Sequence, residues 1–301
     1  MNTPTYPSPF RDDALDGHRI LITGGGSGLG AEMALHLAEH GADVHLWGRR
    51  ESALTETRER IEATAPGRAH SQTVNVRDAD SVDEAMEQLW QEHGPLTGLI
   101  NNAAANFIAP AETISPNGYE AISSTVMDGS YFTTQAAGRR WIASGRRGSV
   151  LSTVTTWVWT GSAYVVPSAM SKAAVDSMTK SLAVEWAKYG IRLNAVAPGP
   201  FPTDFTWQVL GIDNAANALS TEAGMPTGRT GQMSELVNLV LFLISDAADY
   251  VTGQTIAIDG AQMYAGPGTF ASLSAMSDAD WEAARSAAKK ATAESKAHRR
   301  A

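Results

Sequence analysis

The sequence predicts an α/β fold, a doubly wound parallel sheet with helices on both faces. Three observations predict it. Short β-branched apolar runs alternate with segments whose apolar residues recur at helical spacing. A glycine-rich stretch, Thr23–Gly30, separates the first such run from the first helix. No shift of composition divides the 301 residues, of which 43% are hydrophobic, enough to fill one large core.

Each element follows in order. Residues 1–16 are proline-rich and read as a flexible arm, 17–265 as the domain proper and 266–301 as a helical tail. HRILITGG (18–25) is a buried strand, since its β-branched run ends in glycines. GLGAEMALHLAEHGA is a helix that stops at Gly41, and DVHLWG (43–48) is the second strand. SALTETRERIEATA is a helix ending before Pro66-Gly67. The cycle repeats with strand SQTVNV (71–76), helix SVDEAMEQLWQEHG (81–94) and strand TGLINNA (97–103). One long helix is expected over 116–144, then strand SVLSTV, helix 168–189 and strand IRLNAVAPG. After an irregular piece come helix SELVNLVLFLIS and strand GQTIAID. In the tail, Ser277 and Asp280 fit an N-capping pair, and WEAARSAAKKATAES reads as an exposed helix.

Composition excludes several roles. The net charge is -9 and no basic stripe is present, which argues against nucleic acid. Without cysteine there is no disulfide, thiol nucleophile or cysteine-ligated zinc. The histidines are scattered, and His36 and His40 read as a solvated helix face, so no metal site is expected. No apolar run is long enough to cross a membrane, and neither end carries a targeting pattern, so a cytoplasmic location is expected.

The stretch TGGGSGLG, between a strand and a helix, carries the first chemistry. Gly24, Gly28 and Gly30 let the backbone turn tightly and approach a pyrophosphate, and the helix start offers free N–H groups. At the end of the second strand, WGRRE has Arg49 and Arg50 where NAD would need a carboxylate for its ribose hydroxyls. Two guanidiniums suit a 2′-phosphate, which predicts NADP(H); the other reading is two solvated arginines. Asn75 and Val76 end the third strand, where adenine would lie, and Asn101-Asn102-Ala103-Ala104 ends the fourth.

Taken together, TGGGSGLG, NNAA, STVTT, SAMSKAAV, NAVAPGP and AIDG occur in order over roughly residues 17–262. This series resembles the short-chain dehydrogenase/reductase family. The resemblance implies a Rossmann fold and a dinucleotide held by Thr23, Gly24, Gly26, Ser27, Gly28, Leu29, Gly30, Asn102, Ala103, Ala104, Lys172, Pro198, Gly199, Pro200 and Thr203. Asn75 stands where the family more often has aspartate, and Ala104 where it has glycine.

A narrower likeness rests on INNAAANFIAPAETISPNGYEAI, on the long stretch from TGSAYVVPSAMSK to NAVAPGP, and on the SDADWEAARSAAKKA tail. These are similar to the 2,4-dienoyl-CoA reductase branch, where the usual Tyr-x-x-x-Lys is altered to Ser-x-x-x-Lys; Ser168 and Lys172 match. The resemblance implies reduction of a conjugated thioester, in which charge collects on the thioester oxygen and a carbon is then protonated. A phenol at the Ser168 position is dispensable for that chemistry. Lys172 would hold the nicotinamide ribose, and Ser168 would donate to the ribose, a phosphate or the thioester oxygen.

Other positions keep two readings. Thr155, seventeen residues before Lys172, is a catalytic hydroxyl or a strand-end threonine bonded to backbone. Asp128 is a holder of the proton-delivering water or a helix acid bonded elsewhere. Trp157 stands where the mitochondrial branch has a tyrosine; its N–H can donate a hydrogen bond but no proton at neutral pH. Tyr164 lines the pocket or packs as an aromatic. Phe107, Trp157, Tyr164, Phe201 and Phe205 are the expected substrate contacts, and 201–228 is the expected lid over an acyl chain. The family's helix pairing implies a homotetramer. Two alternatives stand beside the dienoyl reading: a ketone or alcohol oxidoreductase using another acid, or a dinucleotide binder that has lost catalysis.

Overall fold

The computed structural model describes residues 8–65, 68–202, 225–265, 273 and 275–298. Its strands are β1 (Arg19–Thr23), β2 (Asp43–Gly48), β3 (Ala69–Thr73), β4 (Gly98–Asn101), β5 (Gly148–Thr153), β6 (Ile191–Pro198) and β7 (Thr255–Ile258). They form one sheet in the order β3-β2-β1-β4-β5-β6-β7, and every pair is parallel. The order reverses between β1 and β4. There the crossovers leave in opposite directions and open a crevice at the carboxyl ends of the strands.

The helices are α1 (Gly28–Glu39), α2 (Glu51–Thr64), α3 (Ala79–His93), α4 (Pro116–Ser123), α5 (Gly129–Ser144), the single turn α6 (Trp157–Thr160), α7 (Val166–Trp186), α8 (Met233–Ile244) and α9 (Asp278–His298). Two apolar cores separate on the two faces of the sheet. One joins Ile22, Leu37, Val44, Leu46 and Val196 to Leu236, Val240 and Ile244 of α8. The other joins Leu21, Trp47, Leu99, Val150 and Leu193 to Met86 of α3, Trp141 of α5 and Trp186 of α7. Alternate residues along β2, 44 and 46 against 47, go to opposite cores, as a pleated strand buried on both sides requires. Trp141 is anchored by its indole N–H, which donates to Leu96 O at 2.7 Å, and Gly148 leaves the room its ring occupies.

Several boundaries differ from the sequence expectation. α3 begins at Ala79 because Asp78 caps it, accepting from Asp80 N and Ser81 N. The helix expected over 116–144 is interrupted by a π turn at Ser124–Asp128, where Ser124 and Thr125 bond the carbonyls four residues back. Leu15, within the expected arm, is fully buried, and its N–H donates to His40 O at 2.8 Å. Thr203, Phe205 and most of the expected lid lie outside the described residues.

The tail is not simply exposed. Ser277 and Asp280 bond each other as an N-capping pair, and one turn of α9 later Trp281 is only 7% exposed. Trp281, Leu273 and Val165 form a small third core with Trp157, Tyr164, Ile108 and Met276. The Tyr164 and Trp281 rings lie 4.9 Å apart. Among the described residues no helix is long and apolar enough to cross a membrane. Truncating Trp281 therefore removes a packed aromatic. Trp281→Ala is expected to cost about 3 kcal/mol in urea unfolding, whereas a tryptophan on a solvated helix would cost less than about 0.5 kcal/mol.

Candidate active site

The crevice is built first by one hydroxyl. Thr23, 2% exposed at the end of β1, accepts hydrogen bonds from the N–H groups of Asn102 and Ala103, both at 3.0 Å. That ties the β1 turn to the chain leaving β4. Gly24 follows at φ +68°, and its N–H donates to Trp47 O at 2.8 Å. A Cβ on Gly30 would collide with Gly24 O and Asn102 Nδ2, so the helix start and the turn touch backbone to backbone. A turn this close to bare backbone, opening a helix, fits a dinucleotide pyrophosphate. Arg50 Nη2 donates to Ser27 Oγ at 3.0 Å, which brings a guanidinium over the glycine turn, while Arg49 is exposed beside it. Leu29 and Gly26 lie in the same turn, and Gly26 packs on the backbone of Ala53.

Other expected cofactor positions take definite places. Asn75 is exposed beyond the end of β3, with its Oδ1 accepting from Arg77 N at 3.4 Å. Val76 is buried against Gly129, which joins the β3 end to the start of α5. Asn101 turns inward. Its Oδ1 accepts from Thr133 Oγ1 and its Nδ2 donates to Thr134 Oγ1, both at 2.7 Å, so it positions α5 below the π turn. Asn102 and Ala103 are at the crevice through Thr23. Pro198 ends β6, Gly199 packs on Asp259, and Pro200 O accepts from Gly231 N.

The residues expected to react lie on α7, just beyond β5 and on the π turn before α5. Lys172 is 6% exposed, and its Nζ donates to Thr153 O at 2.5 Å, at the end of β5. Burial pushes its ammonium down to about 8. Ser168, one turn earlier and 4% exposed, has a hydroxyl that makes no hydrogen bond among the described residues. The Thr155 hydroxyl, two residues beyond β5, is buried with no hydrogen-bond partner among the described residues. It is therefore not spent on backbone. Asp128 closes the π turn that packs against α7, half-buried, with no hydrogen bond or ion pair among the described residues.

The aromatic positions divide. Trp157 and Tyr164 belong to the third core beside α9; Tyr164 has φ +64° and its carbonyl accepts from Ala109 N at 2.9 Å. Phe107 packs near Gly118 at the start of α4. Phe201 is instead 6% exposed within the first core, its ring over Gly231, because apolar area there is better shielded than in an open crevice. Sequence reasoning missed the contribution of α9 to this third core. Trp281, spaced just after the capping pair, was the signal for it.

Residues 24–261 match the family described as Enoyl-(Acyl carrier protein) reductase. The chain is 42% identical over 244 residues to a probable 2,4-dienoyl-CoA reductase, (2E)-enoyl-CoA-producing, of Bacillus subtilis, covering 81% of this chain and 95% of that one. It is 38% identical over 264 residues to the probable 2,4-dienoyl-CoA reductase 3, (3E)-enoyl-CoA-producing, of Caenorhabditis elegans, covering 87% and 85%. Among solved structures, a gluconate 5-dehydrogenase from Burkholderia cenocepacia in complex with NADP and tartrate superposes with a TM-score of 0.77 at 33% identity, covering 85% of this chain and 98% of that one.

The buried lysine has a measurable signature. With a folded value near 8 against an ordinary 10.5, the unfolded chain holds a proton that the folded chain lacks between those pH values. Wild-type stability should then rise with pH in that window relative to Lys172→Met, by up to about 1.4 kcal/mol per pH unit. Urea unfolding of the two proteins from pH 7 to pH 11 checks it. Parallel curves would mean that Lys172 is not buried as a cation.

Proposed function

Because the chain belongs to the short-chain dehydrogenase/reductase family, we propose that it is an NADP(H)-dependent reductase of a conjugated acyl thioester, of the 2,4-dienoyl-CoA type. One observation carries the reading: an unpartnered serine hydroxyl, Ser168, stands one helical turn before the buried Lys172, where carbonyl chemistry would call for a phenol. The relatives named 2,4-dienoyl-CoA reductase support it.

NADPH, when bound, supplies the hydride that adds to the δ carbon of the dienoyl chain. The glycine turn with Thr23, Asn102 and Arg50 would hold the dinucleotide, its 2′-phosphate facing Arg49 and Arg50. Negative charge then collects on the thioester oxygen and on the α and γ carbons. Lys172 contributes a positive charge and, through the ribose, fixes the reacting geometry; Ser168 and Thr155 offer hydroxyl donors to the oxygen. Such donors act strongly because the site is shielded from water. Asp128, with no other partner among the described residues, holds the water that returns a proton to carbon. A proton at the γ carbon leaves the (2E) product and one at the α carbon the (3E) product. The two relatives differ in this respect, so the placement of that water decides the outcome. Trp157 and Tyr164, packed on Trp281, wall the acyl side.

Carbonyl reduction is the competing outcome, since a gluconate 5-dehydrogenase shares the fold. NADPH consumption is expected with a 2,4-dienoyl-CoA and not with a 3-ketoacyl-CoA or gluconate's ketone; the reverse preference rejects the proposal. Lys172→Ala should abolish turnover. Ser168→Ala should lower kcat by about 100-fold with little change in KM, and Asp128→Asn should lower it by a similar factor.

The same reading takes the protein as a homotetramer. Tyr131 on α5 and Met170 and Val184 on α7 are 46%, 55% and 82% exposed, apolar surface that helix pairing would cover. Light scattering should give four times the 31.9 kDa chain mass; a single-chain mass contradicts the assembly.

A further inference from the structure

On the α3 side of the sheet edge, well away from Lys172, three histidines from three elements converge. His45 lies on β2, and His70 lies opposite it on β3 in register. His93 is the last residue of α3. Their ring centroids are 4.8, 4.8 and 4.2 Å apart, and one ring nitrogen from each lies within 4.8 Å of the others. The rings line a pocket with Gln72, Gln88 and Glu92 at its rim. His70 and His93 have side chains 36% and 30% exposed, so the pocket is reached from solvent, whereas His45 is 3% exposed.

Among the described residues His45 Nε2 has no hydrogen bond, and Asp43 Oδ1, also out of water, has only its ion pair with His70. They lie on the same strand and the same face, two residues apart. Asp43 Oδ1 is 3.2 Å from His70 Nε2, while Asp43 Oδ2 is held by Arg19 Nε at 3.1 Å and lies 4.0 Å from His45 Nε2. Leaving such lone pairs buried and unused is costly, and native proteins rarely do so.

We propose that Asp43, His45, His70 and His93 form a binding site for a divalent transition-metal ion, zinc by its chemistry. Three imidazoles and one carboxylate oxygen are a borderline-soft, four-ligand set that suits Zn²⁺. Zinc–nitrogen bonds of about 2.0–2.1 Å would draw the ring nitrogens to roughly 3.4 Å from one another. Rotation of the imidazoles about their side-chain bonds supplies that contraction without moving the strands. Arg19, on the other carboxylate oxygen, orients Asp43 as a supporting contact does. The ion would tie the edge strand β3 to β2 and α3. Its role is to hold the edge, and it takes no part in the reduction.

The test uses the full, untagged chain stripped with a chelator. Calorimetric titration with Zn²⁺ should show one saturable site per chain, Co²⁺ should give the visible absorption of a tetrahedral complex, and Zn²⁺ should raise the thermal midpoint. His70→Gln and His93→Gln should each weaken Zn²⁺ binding at least about tenfold, and the double variant should lose the site, with circular dichroism and turnover in zinc-free buffer unchanged. Should the double variant not fold, the shifts of the wild-type imidazole ¹⁵N resonances on adding Zn²⁺ decide instead: three histidines moving together supports the site. Equal binding by the wild type and double variant, or no saturable binding, overturns it.

Discussion

The site depends on one constraint, a lysine ammonium kept out of water. Lys172 is 6% exposed, and among the described residues its Nζ has a single hydrogen bond, to Thr153 O. No carboxylate among the described residues pairs with it, since its lowered value has burial as its cause. A buried cation without a counter-ion is expensive. It is sustained by the rigidity of α7 against β5 and β6, and it rewards any ligand that brings hydroxyls or developing negative charge to that point. Among the described residues, Ser168 one turn earlier on α7, Thr155 beyond β5 and Asp128 on the π turn also have side chains without a hydrogen-bond partner.

The rest of the architecture serves that arrangement. Thr23 locks the β1 turn to the end of β4, so the crevice has fixed walls. The inward-facing Asn101 holds α5, and the π turn above it spends the extra residue needed to bring Asp128 beside α7. On the far side, α9 returns to pack Trp281 on Tyr164, which stiffens the loop between α6 and α7. The glycine turn, the lysine and the Tyr164–Trp281 pair are thus carried by separate elements.

Much of this was legible in the chain. The β-branched apolar runs between helical patterns placed all seven strands within a few residues, because strands buried on both faces leave continuous apolar runs. The glycine turn and the Ser168–Lys172 spacing were readable because both are local. What sequence could not reveal was non-local. The π turn arises where side-chain hydroxyls compete for carbonyls within a pattern that reads as plain helix. Phe201 looked like a substrate contact from the aromatic content of its neighbourhood, and it is instead used to fill the core. The tail looked solvated because a single tryptophan among alanines and charges carries little periodic signal. His45, His70 and His93 are far apart in sequence, and only the strand register and the end of α3 bring them together.

The central claim is that the chemistry occurs along a conjugated chain and not at a carbonyl. Its most direct measurement follows the atoms. A 2,4-dienoyl-CoA would be reduced with NADPH deuterated at the transferable position, in ordinary water, and again with unlabelled NADPH in deuterated water. The product is then read by NMR. The account predicts cofactor deuterium at the δ carbon and solvent deuterium at the α or γ carbon, with the thioester intact. Deuterium from the cofactor on an oxygen-bearing carbon, or no transfer to the chain at all, would contradict it.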